Sequence, residues 1–561
     1  MNHALTTAGV GTRRASARSP VNPLGLIDEA ATARWNALAW GFVALGMLAR
    51  LVRYLQCYPL WGDECMLAEN FLTRDFTSLI APLDHQQVAP LGFLWIELAM
   101  TWLAGFSEWS LRLFPLACGL ASVWLMRHVA ARLLSGPALA AAVAVFAVSY
   151  YPIRHAAEVK PYAVDTCMTL ALLALAIEHW RAPGTTRWLW LLSLAGPMAL
   201  ALSFPAAFVA GGVSLALAFD MWRGGRRESI LPWCCFNVAI VATFGGLFWL
   251  SESKRYDASA DFMTQCWGYC FPPLDRPLGL AVWLLQAHTG ETFAHPLGGQ
   301  NFASTLTTLC YGAGLVAMYR AGLFIPLAMW LAPLGVALVA AALHRYPYGE
   351  TSRLMQYAAP LVCLPAGVGM AALVGLMKGT AHRRHGWRAL FASLAVVAAC
   401  VTVEGLIHPY KHRCDYVHRA FAMWFWGQEG SRAVVSTDRD LGLGYFYPGC
   451  ERSSYSCFQA IYHRPIRGDE LAATEPASIA QDEGTLNCAV FMGNGEADAP
   501  RLAAWLADMD RGFDLIARDR FEVIVDDKHH AVGHYDVYRF RRRVERSETL
   551  ATRPETSGAV R

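Results

Sequence analysis

Two adjacent carboxylates open the stretch in which we expect the chemistry of this chain. Asp63 and Glu64 follow the first long apolar run, at the start of the segment 61–90. Acidic residues at the boundary of a bilayer are costly to place, so they indicate a functional site by default. Taken alone, the pair fits a catalytic role and an ordinary polar loop about equally well. Residues further along the chain decide between these two interpretations.

Basic, aromatic and acidic side chains recur at the ends of later apolar runs. Arg154, Lys160 and Tyr162 stand before one run, Asp165 lies about one turn inside it, and Arg353 precedes another run. An arginine kept at such a boundary favours a bound anion, because the guanidinium group matches phosphate in geometry. A carboxylate inside an apolar run indicates a buried partner or a metal.

These residue types together suit the transfer of a sugar from a lipid-linked phosphate. Asp63 is the candidate base, which takes a proton from an acceptor hydroxyl as that oxygen attacks the anomeric carbon. Arg154, Lys160 and Arg353 are the candidates for holding the leaving phosphate as charge develops on it.

Other roles are open for several of these residues. Asp63, Asp165 and His85 offer oxygen and nitrogen ligands to a divalent metal ion, although no compact ligand motif supports a metal. Tyr162 and His85 are further candidates for contacting the donor phosphate. Lys160 and Tyr162 also fit the lysine and tyrosine anchors that commonly flank a membrane span.

Two local ion pairs offer structural explanations for arginines near these boundaries. Arg154 can pair with Glu158, four residues later. Arg112 is predicted to pair with Glu108, four residues before it, on one helical face.

The composition of the chain identifies it as a polytopic membrane protein. Of its 561 residues, 55% are hydrophobic and 16% are charged, and its mean hydropathy is +0.29. A soluble globular protein carries roughly 25% charged residues. The net charge of +3 does not identify a partner, and we expect no nucleic acid among the partners.

Apolar runs long enough to span a bilayer predict the helical elements. They lie at 35–53, 111–134, 137–153, 161–180, 187–203, 205–222, 231–251, 302–320, 322–343, 355–377 and 388–407. One further run, 88–105, is ambiguous because Glu97 lies near its middle.

The basic connectors between these runs set the orientation. The positive-inside rule places them in the cytoplasm, and they lie at 127–132, 181–187, 223–227, 320 and 378–388. The basic tail 1–34, predicted to be disordered, shares that side only if 88–105 does not cross. We therefore predict about eleven spans within the domain 35–407, with a juxtamembrane helix at 88–105. A competing topology, with the tail outside and 88–105 spanning, would place the tail's arginines on the wrong side.

This orientation gathers the candidate residues on the external face. The external segments include the first loop, 54–110, and the long loop, 252–301. After the last span, alternating apolar residues and an amphipathic helical pattern predict a small extracytoplasmic α/β domain at 408–540. The charged end, 541–561, is predicted to be disordered.

Five segments of the sequence resemble one family of membrane enzymes. They are GDE at 62–64, QVAPLGFL at 87–94, SEWSLRLFPLACG at 107–119, EVKPYAVD at 158–165 and SRLMQYAAPL at 352–361. The family is that of the polyprenyl-phosphate-sugar-dependent glycosyltransferases with the C-type fold. Within it, the chain is most similar to the protein O-mannosyltransferase and aminoarabinose transferase group, called family 39-like. The resemblance covers roughly 35–407.

The resemblance implies roles for particular residues. Asp63 matches the catalytic or metal-contacting acid of that family, with Glu64 as its neighbour. The second acidic position matches Asp165, with Glu158 as the competitor. A lysine or histidine before the proline of the first loop commonly contacts substrate in the family, and here that position matches His85. The chain departs from the family in having the single Pro90 instead of a double proline, with no lysine before it.

The resulting hypothesis is an inverting glycosyltransferase of the inner membrane. We expect it to use a polyprenyl-phosphate-linked sugar and to glycosylate a lipid, glycan or protein on the external face. The alternative is a transporter or flippase for a lipid-linked saccharide. Such transporters typically have two related halves with interrupted helices at the midplane, and the sequence has no such symmetry.

Overall fold

The computed structural model describes residues 29–252, 266–349, 351–409, 414–426, 431–435, 485–493, 499–524 and 531–543. The chain divides into two compact units, Met1–Lys411 and His412–Arg561. Most of the predicted tails, 1–34 and 541–561, lies outside the described residues. In the described part of these tails, the first helix begins at Glu29 and the last strand ends at Arg542.

The first unit is built of helices. In chain order they are α1 (Glu29–Leu55), α2 (Gly62–Thr73), α3 (Leu91–Ala104), α4 (Glu108–Leu111), α5 (Leu113–Leu133), α6 (Gly136–Ala147), α7 (Tyr150–Arg154), α8 (Tyr162–Arg181), α9 (Arg187–Leu202), α10 (Ala206–Gly224), α11 (Ile230–Leu247), α12 (Pro277–Thr289), α13 (Thr305–Arg320), α14 (Phe324–Ala342), α15 (Ala359–Gly375) and α16 (Thr380–Ile407). Short 3-10 turns occur at Ser78–Ile80, Asp84–Gln86, His155–Ala157, Arg227–Ser229, Gly268–Cys270, Glu291–Phe293 and Gln356–Ala358, and a π-helical turn at Phe248–Glu252.

Eight helical segments in the described part of the chain are long and apolar enough to cross a membrane. They are Thr32–Leu55, Glu108–Leu133, Tyr162–Arg181, Ala206–Gly224, Arg227–Leu250, Phe324–Ala342, Gln356–Gly375 and Thr380–Ile407. Each coincides with a predicted run, so the protein is a multi-pass membrane protein and its predicted helical class is confirmed.

Three predicted runs form less regular elements. The run 137–153 becomes two helices bent by 56° at Ser149, Gly136–Ala147 and Tyr150–Ala157. The runs 187–203 and 302–320 become helices of 16 residues each. Helix α3, within the ambiguous run 88–105, has 14 residues, which is about 21 Å of helix. That length is too short to cross a hydrocarbon core of about 30 Å, in agreement with the predicted juxtamembrane helix.

Close packing between small residues fixes the helix that follows Arg353. Gly314 on α13 and Gly369 on α15 face each other, and a Cβ atom on Gly369 would collide with the carbonyl of Cys310. Helices in membranes associate through such small residues because they let two backbones approach closely. The start of α15, and with it the turn that carries Arg353, is thereby held in a defined position.

The second unit has a mixed four-stranded sheet with strand order β1-β2-β4-β3. The strands are β1 (Ser431–Val435), β2 (Thr485–Gly493), β3 (Phe513–Ile524) and β4 (Ala531–Arg542). Helix α17 (Cys414–Trp426) precedes β1, and helix α18 (Ala499–Met509) lies between β2 and β3. Strand β1 is parallel to β2, and β4 pairs antiparallel with both β2 and β3. This sheet with its two helices confirms the predicted small α/β fold.

One side of the sheet packs against α18 and the other against α17. Leu502 and Trp505 of α18 pack with Tyr538 and Phe540 of β4. On the other side, Phe421 of α17 stacks on Tyr535, with the ring centroids 3.8 Å apart. The alternation of side chains along a strand places these two sets on opposite faces.

Candidate functional site

Glu64 lies at the start of α2 with its carboxylate fully buried. Its oxygens accept hydrogen bonds from the backbone N–H of Trp61 (3.2 Å), which closes the first turn of the helix, and of Val159 (2.7 Å). Arg112 donates two more, from Nε at 3.2 Å and Nη2 at 2.8 Å. Glu64 therefore ties α2 to two distant segments of the chain.

Arg112 corrects one prediction made from the sequence. Its ion-pair partner is Glu64, not Glu108, and it also donates to the carbonyl of Pro59. Helix α4 ends at Leu111, and Arg112 is the residue between it and α5. Because the helix is interrupted there, the geometry that pairs residues four apart on one helical face is lost.

Asp63 forms an ion pair with Arg353, 290 residues later in the chain. Oδ2 of Asp63 lies 2.9 Å from Nη1 of Arg353, and the two side chains are 17% and 30% exposed. The Arg353 guanidinium also lies 5.6 Å from the centre of the Trp61 ring. The predicted base and one predicted phosphate ligand are thus in direct contact, at a place that a substrate can reach.

Lys160 lies beside this pair and binds a neutral side chain. Its Nζ donates to Oε1 of Gln87 at 2.6 Å. Burial lowers the pKa of Lys160 below that of an ordinary lysine, against the raising effect of the nearby Asp63. No ion pair joins Lys160 to a carboxylate within the described part of the chain.

Arg353 remains cationic in this setting. Burial by itself would lower its pKa, but Tyr162, Asp63 and Glu158 outweigh that effect and raise the pKa above the ordinary arginine value. Tyr162 opens α8 and packs edge-on against His155, with the ring centroids 5.0 Å apart. Tyr162 is also within the electrostatic reach of Asp63 and Asp165.

Arg154 forms the ion pair with Glu158 that was one of its two roles considered from the sequence. Its Nε lies 3.3 Å from Oε1 of Glu158, and its Nη1 donates to the hydroxyl of Tyr150 at 2.7 Å. His155 lies 2.6 Å from the other oxygen of Glu158. Burial alone would raise the pKa of Glu158, but His155, Arg154 and Arg53 together lower it below the usual range, so Glu158 is an anion.

Asp165 lies in the first turn of α8, buried, and is not bonded to Asp63. Ser203, the residue that follows α9, lies near it. Its Oδ1 is buried and has no hydrogen-bond partner in the described part of the chain. The predicted second acid is therefore placed behind the Asp63–Arg353 pair as a separate buried group.

The predicted metal option finds no support among the described side chains. No group of three or more histidine, cysteine, aspartate or glutamate residues is placed to hold a metal ion in this part of the chain. The backbone of His85 belongs to the turn Asp84–Gln86, but its side chain lies outside what the structure describes.

Two contacts of the site were not predicted from the sequence. Gln87 belongs to a segment that was singled out, but its bond to Lys160 joins residues 73 apart. Glu291, in the long loop, accepts a hydrogen bond from the backbone N–H of Ser352 at 2.9 Å. It thereby braces the turn that carries Arg353, and no local sequence pattern indicates such a contact.

Within the described part of the chain, Lys160 is a cation of this cluster that has no carboxylate partner. Three arginine–carboxylate pairs balance each other: Asp63 with Arg353, Glu64 with Arg112, and Glu158 with Arg154. Lys160, bound to an amide, adds a positive charge beside the first pair. The arrangement suits an anionic ligand that contacts both Lys160 and Arg353.

The fold and the site together define a multi-pass membrane protein with a charged cluster near the ends of its helices. Among solved structures, the chain is similar to ArnT from Cupriavidus metallidurans in the apo state. The identity is 12% over 89% of this chain and 98% of that chain, with a TM-score of 0.48. The structure of that protein bound to undecaprenyl phosphate matches at 13% identity over 89% and 97%, with a TM-score of 0.47.

An oligosaccharyltransferase of Archaeoglobus fulgidus, in complex with Zn and sulfate, is also similar. It matches at 9% identity over 88% of this chain and 72% of that chain, with a TM-score of 0.45. No known family profile and no curated protein sequence matches this chain. At this level of similarity no activity is transferred to the chain, and its function rests on the site itself.

Proposed function

We propose that the protein is a glycosyltransferase that moves a sugar from a polyprenyl-phosphate donor to an acceptor hydroxyl at the external face of the membrane. The observation that carries this proposal is the cluster of Asp63, Arg353 and Lys160. It combines an accessible carboxylate with two cations, one of which has no carboxylate partner within the described part of the chain.

Donor binding is proposed to rearrange the Asp63–Arg353 pair. The phosphate oxygens take up hydrogen bonds from Arg353 and Lys160, because charge-assisted bonds to phosphate are strong and a guanidinium can bind in a bidentate manner. Arg353 then releases Asp63. The base is held inactive by an ion pair until the donor phosphate replaces it.

The released carboxylate performs the chemical step. Asp63 takes the proton of the acceptor hydroxyl as its oxygen attacks the anomeric carbon of the sugar. The bond between that carbon and the phosphate oxygen breaks, and the electron pair leaves with the phosphate. Arg353 and Lys160 stabilise the charge that develops there. A single displacement of this kind inverts the anomeric configuration.

The other charged residues of the cluster are assigned supporting roles. Glu64 positions Asp63 by fixing the first turn of α2 against Arg112. Arg154 holds Glu158, and Tyr162 and Asp165 complete the wall behind the pair. The acceptor is proposed to be a lipid, glycan or protein.

Transfer from a panel of polyprenyl-phosphate sugars in reconstituted vesicles tests this function. Wild type is compared with Asp63→Asn and with Asp84→Asn, a matched change at an exposed carboxylate of the same loop. We expect Asp63→Asn to lower the rate roughly 10²- to 10⁴-fold and Asp84→Asn to leave it near the wild-type level. Donor that crosses the bilayer unchanged, equally in all three proteins, would establish the transporter alternative.

A further inference from the structure

A groove lies at the ends of α1 and α16, away from the Asp63–Arg353 pair. It is a shallow groove, and α7 forms its third wall. The floor is apolar, formed by residues such as Val52, Ile153 and Val401, and two guanidinium groups, of Arg53 and Arg154, lie at its edge. The basic connector at 378–388 is at the other end of α16, so the positive-inside rule places the groove at the external end.

Each of these guanidinium groups has one terminal nitrogen that makes no hydrogen bond to the described residues. Arg53 donates from Nε to the carbonyl of Arg154 and from Nη2 to that of Pro409. Arg154 uses Nε for Glu158 and Nη1 for the hydroxyl of Tyr150. Arg53 Nη1 and Arg154 Nη2 therefore have no hydrogen-bond partner within the described part of the chain, and both residues line the groove.

A third polar group in the groove is an acceptor. Oε1 of Gln56 is buried and has no hydrogen-bond partner among the described residues. A buried amide oxygen without a donor is costly. A ligand that suits this site must bring an anion to the two guanidinium groups and a hydrogen-bond donor to Gln56.

The surface beside the groove is apolar. Leu51 and Leu55 of α1 and Val403, Leu406 and Ile407 of α16 are exposed. Surfaces of this kind on a membrane protein face lipid. An occupant of the groove thus contacts hydrocarbon on one side. On the other side it contacts the guanidinium group of Arg53 and that of Arg154, which is also paired with Glu158. This is the environment of a phospholipid headgroup.

We infer that this groove binds an anionic glycerophospholipid whose headgroup carries a hydroxyl donor. The phosphate contacts Arg53 and Arg154, the hydroxyl donates to Gln56, and an acyl chain lies along the exposed residues of α1 and α16. This site is separate from the proposed donor site. Glu158, the ion-pair partner of Arg154, lies between the two sites in the sense that it is also within electrostatic range of Arg353.

Gly405 allows this inference to be tested without removing a charge. It lines the groove, and a Cβ atom placed on it would lie 3.6 Å from Nη1 of Arg53. Gly405→Leu therefore fills the groove beside the guanidinium group. Gly41→Leu is the matched control, because Gly41 is an exposed position of α1 with no atom within 4 Å of an added Cβ.

The measurement is native mass spectrometry of the full-length protein in neutral detergent, titrated with phosphatidylglycerol or phosphatidylcholine. We expect wild type and Gly41→Leu to retain phosphatidylglycerol. Gly405→Leu and Arg53→Gln are each expected to weaken retention about tenfold or more. Phosphatidylcholine, which has no hydroxyl donor in its headgroup, should bind weakly to all four proteins.

Three results would overturn the inference. Retention of phosphatidylglycerol by Gly405→Leu at the wild-type level would show that the lipid binds elsewhere. Equal retention of phosphatidylcholine would remove the roles of net charge and of Gln56. Displacement of the lipid by millimolar inorganic phosphate would show a site for a free anion. The thermal unfolding temperature of lipid-free Gly405→Leu, expected to equal that of wild type, separates loss of binding from loss of folding.

Discussion

The two neighbouring carboxylates, Asp63 and Glu64, have opposite environments. Glu64 is fully buried and accepts four hydrogen bonds, two of them from Arg112. Asp63, one residue earlier, is partly exposed and holds Arg353 through one ion pair. A carboxylate bound on all sides stabilises a structure, whereas a partly exposed carboxylate is accessible to a substrate. The contrast separates the proposed positioning residue from the proposed catalytic residue within a single helical turn.

Breaking the Glu64–Arg112 pair should have the largest effect on stability. Arg112→Leu leaves the Glu64 carboxylate buried without its counter-charge, which typically costs about 3–5 kcal/mol of unfolding free energy. Thermal unfolding in detergent measures this change. The double variant Glu64→Leu/Arg112→Leu should recover part of the loss. If Arg112→Leu unfolds at the wild-type temperature, Glu64 does not fix the start of α2.

Removing Arg353 should affect donor binding and leave the fold intact. Arg353→Gln takes away the guanidinium that is proposed to bind phosphate, and a charge-assisted hydrogen bond is worth about 1.5–3 kcal/mol. We expect KM for the donor to rise about 10- to 100-fold, with little change in unfolding temperature. An Arg353→Gln enzyme with wild-type KM would assign the donor phosphate to another group.

The pH dependence of donor binding should distinguish Lys160 from an arginine. Burial lowers the pKa of Lys160, so its positive charge is lost at a lower pH than that of an ordinary lysine. Phosphate affinity should therefore fall as the pH rises through this lowered pKa. In Lys160→Arg the side chain stays positively charged to higher pH. The pH at which phosphate affinity falls should therefore rise by about one unit or more. An identical alkaline profile in both proteins would exclude Lys160 as a phosphate ligand.

The sequence predicted the membrane domain well because the thickness of the bilayer fixes the length of a spanning helix. Each of the eight long apolar segments overlaps a predicted run. The bend at Ser149 in the run 137–153 was not predicted. Hydropathy shows that a run is apolar, but it does not show whether the helix axis bends within the run. The polar first loop likewise gave no signal for the tertiary contacts that hold α2.

The sequence predicted which residues belong to the site better than it predicted which residues they contact. Asp63, Lys160 and Arg353 were each singled out by residue type and position, but the bond from Asp63 to Arg353 spans 290 residues. Arg112 shows the limit of local rules, since it pairs with Glu64 at a separation of 48 and not with the residue four before it. Periodicity describes neighbours on one helix, whereas the site is assembled from loops between several helices.

The binding of polyprenyl phosphate to Asp63→Asn is the most direct test of the central claim, that the donor phosphate replaces Asp63 at Arg353. Asp63→Asn removes the charge that competes with phosphate for Arg353. We therefore expect this variant to bind polyprenyl phosphate at least as tightly as wild type while sugar transfer is lost. The same purified protein serves for both measurements. Weaker binding together with retained transfer would contradict the account.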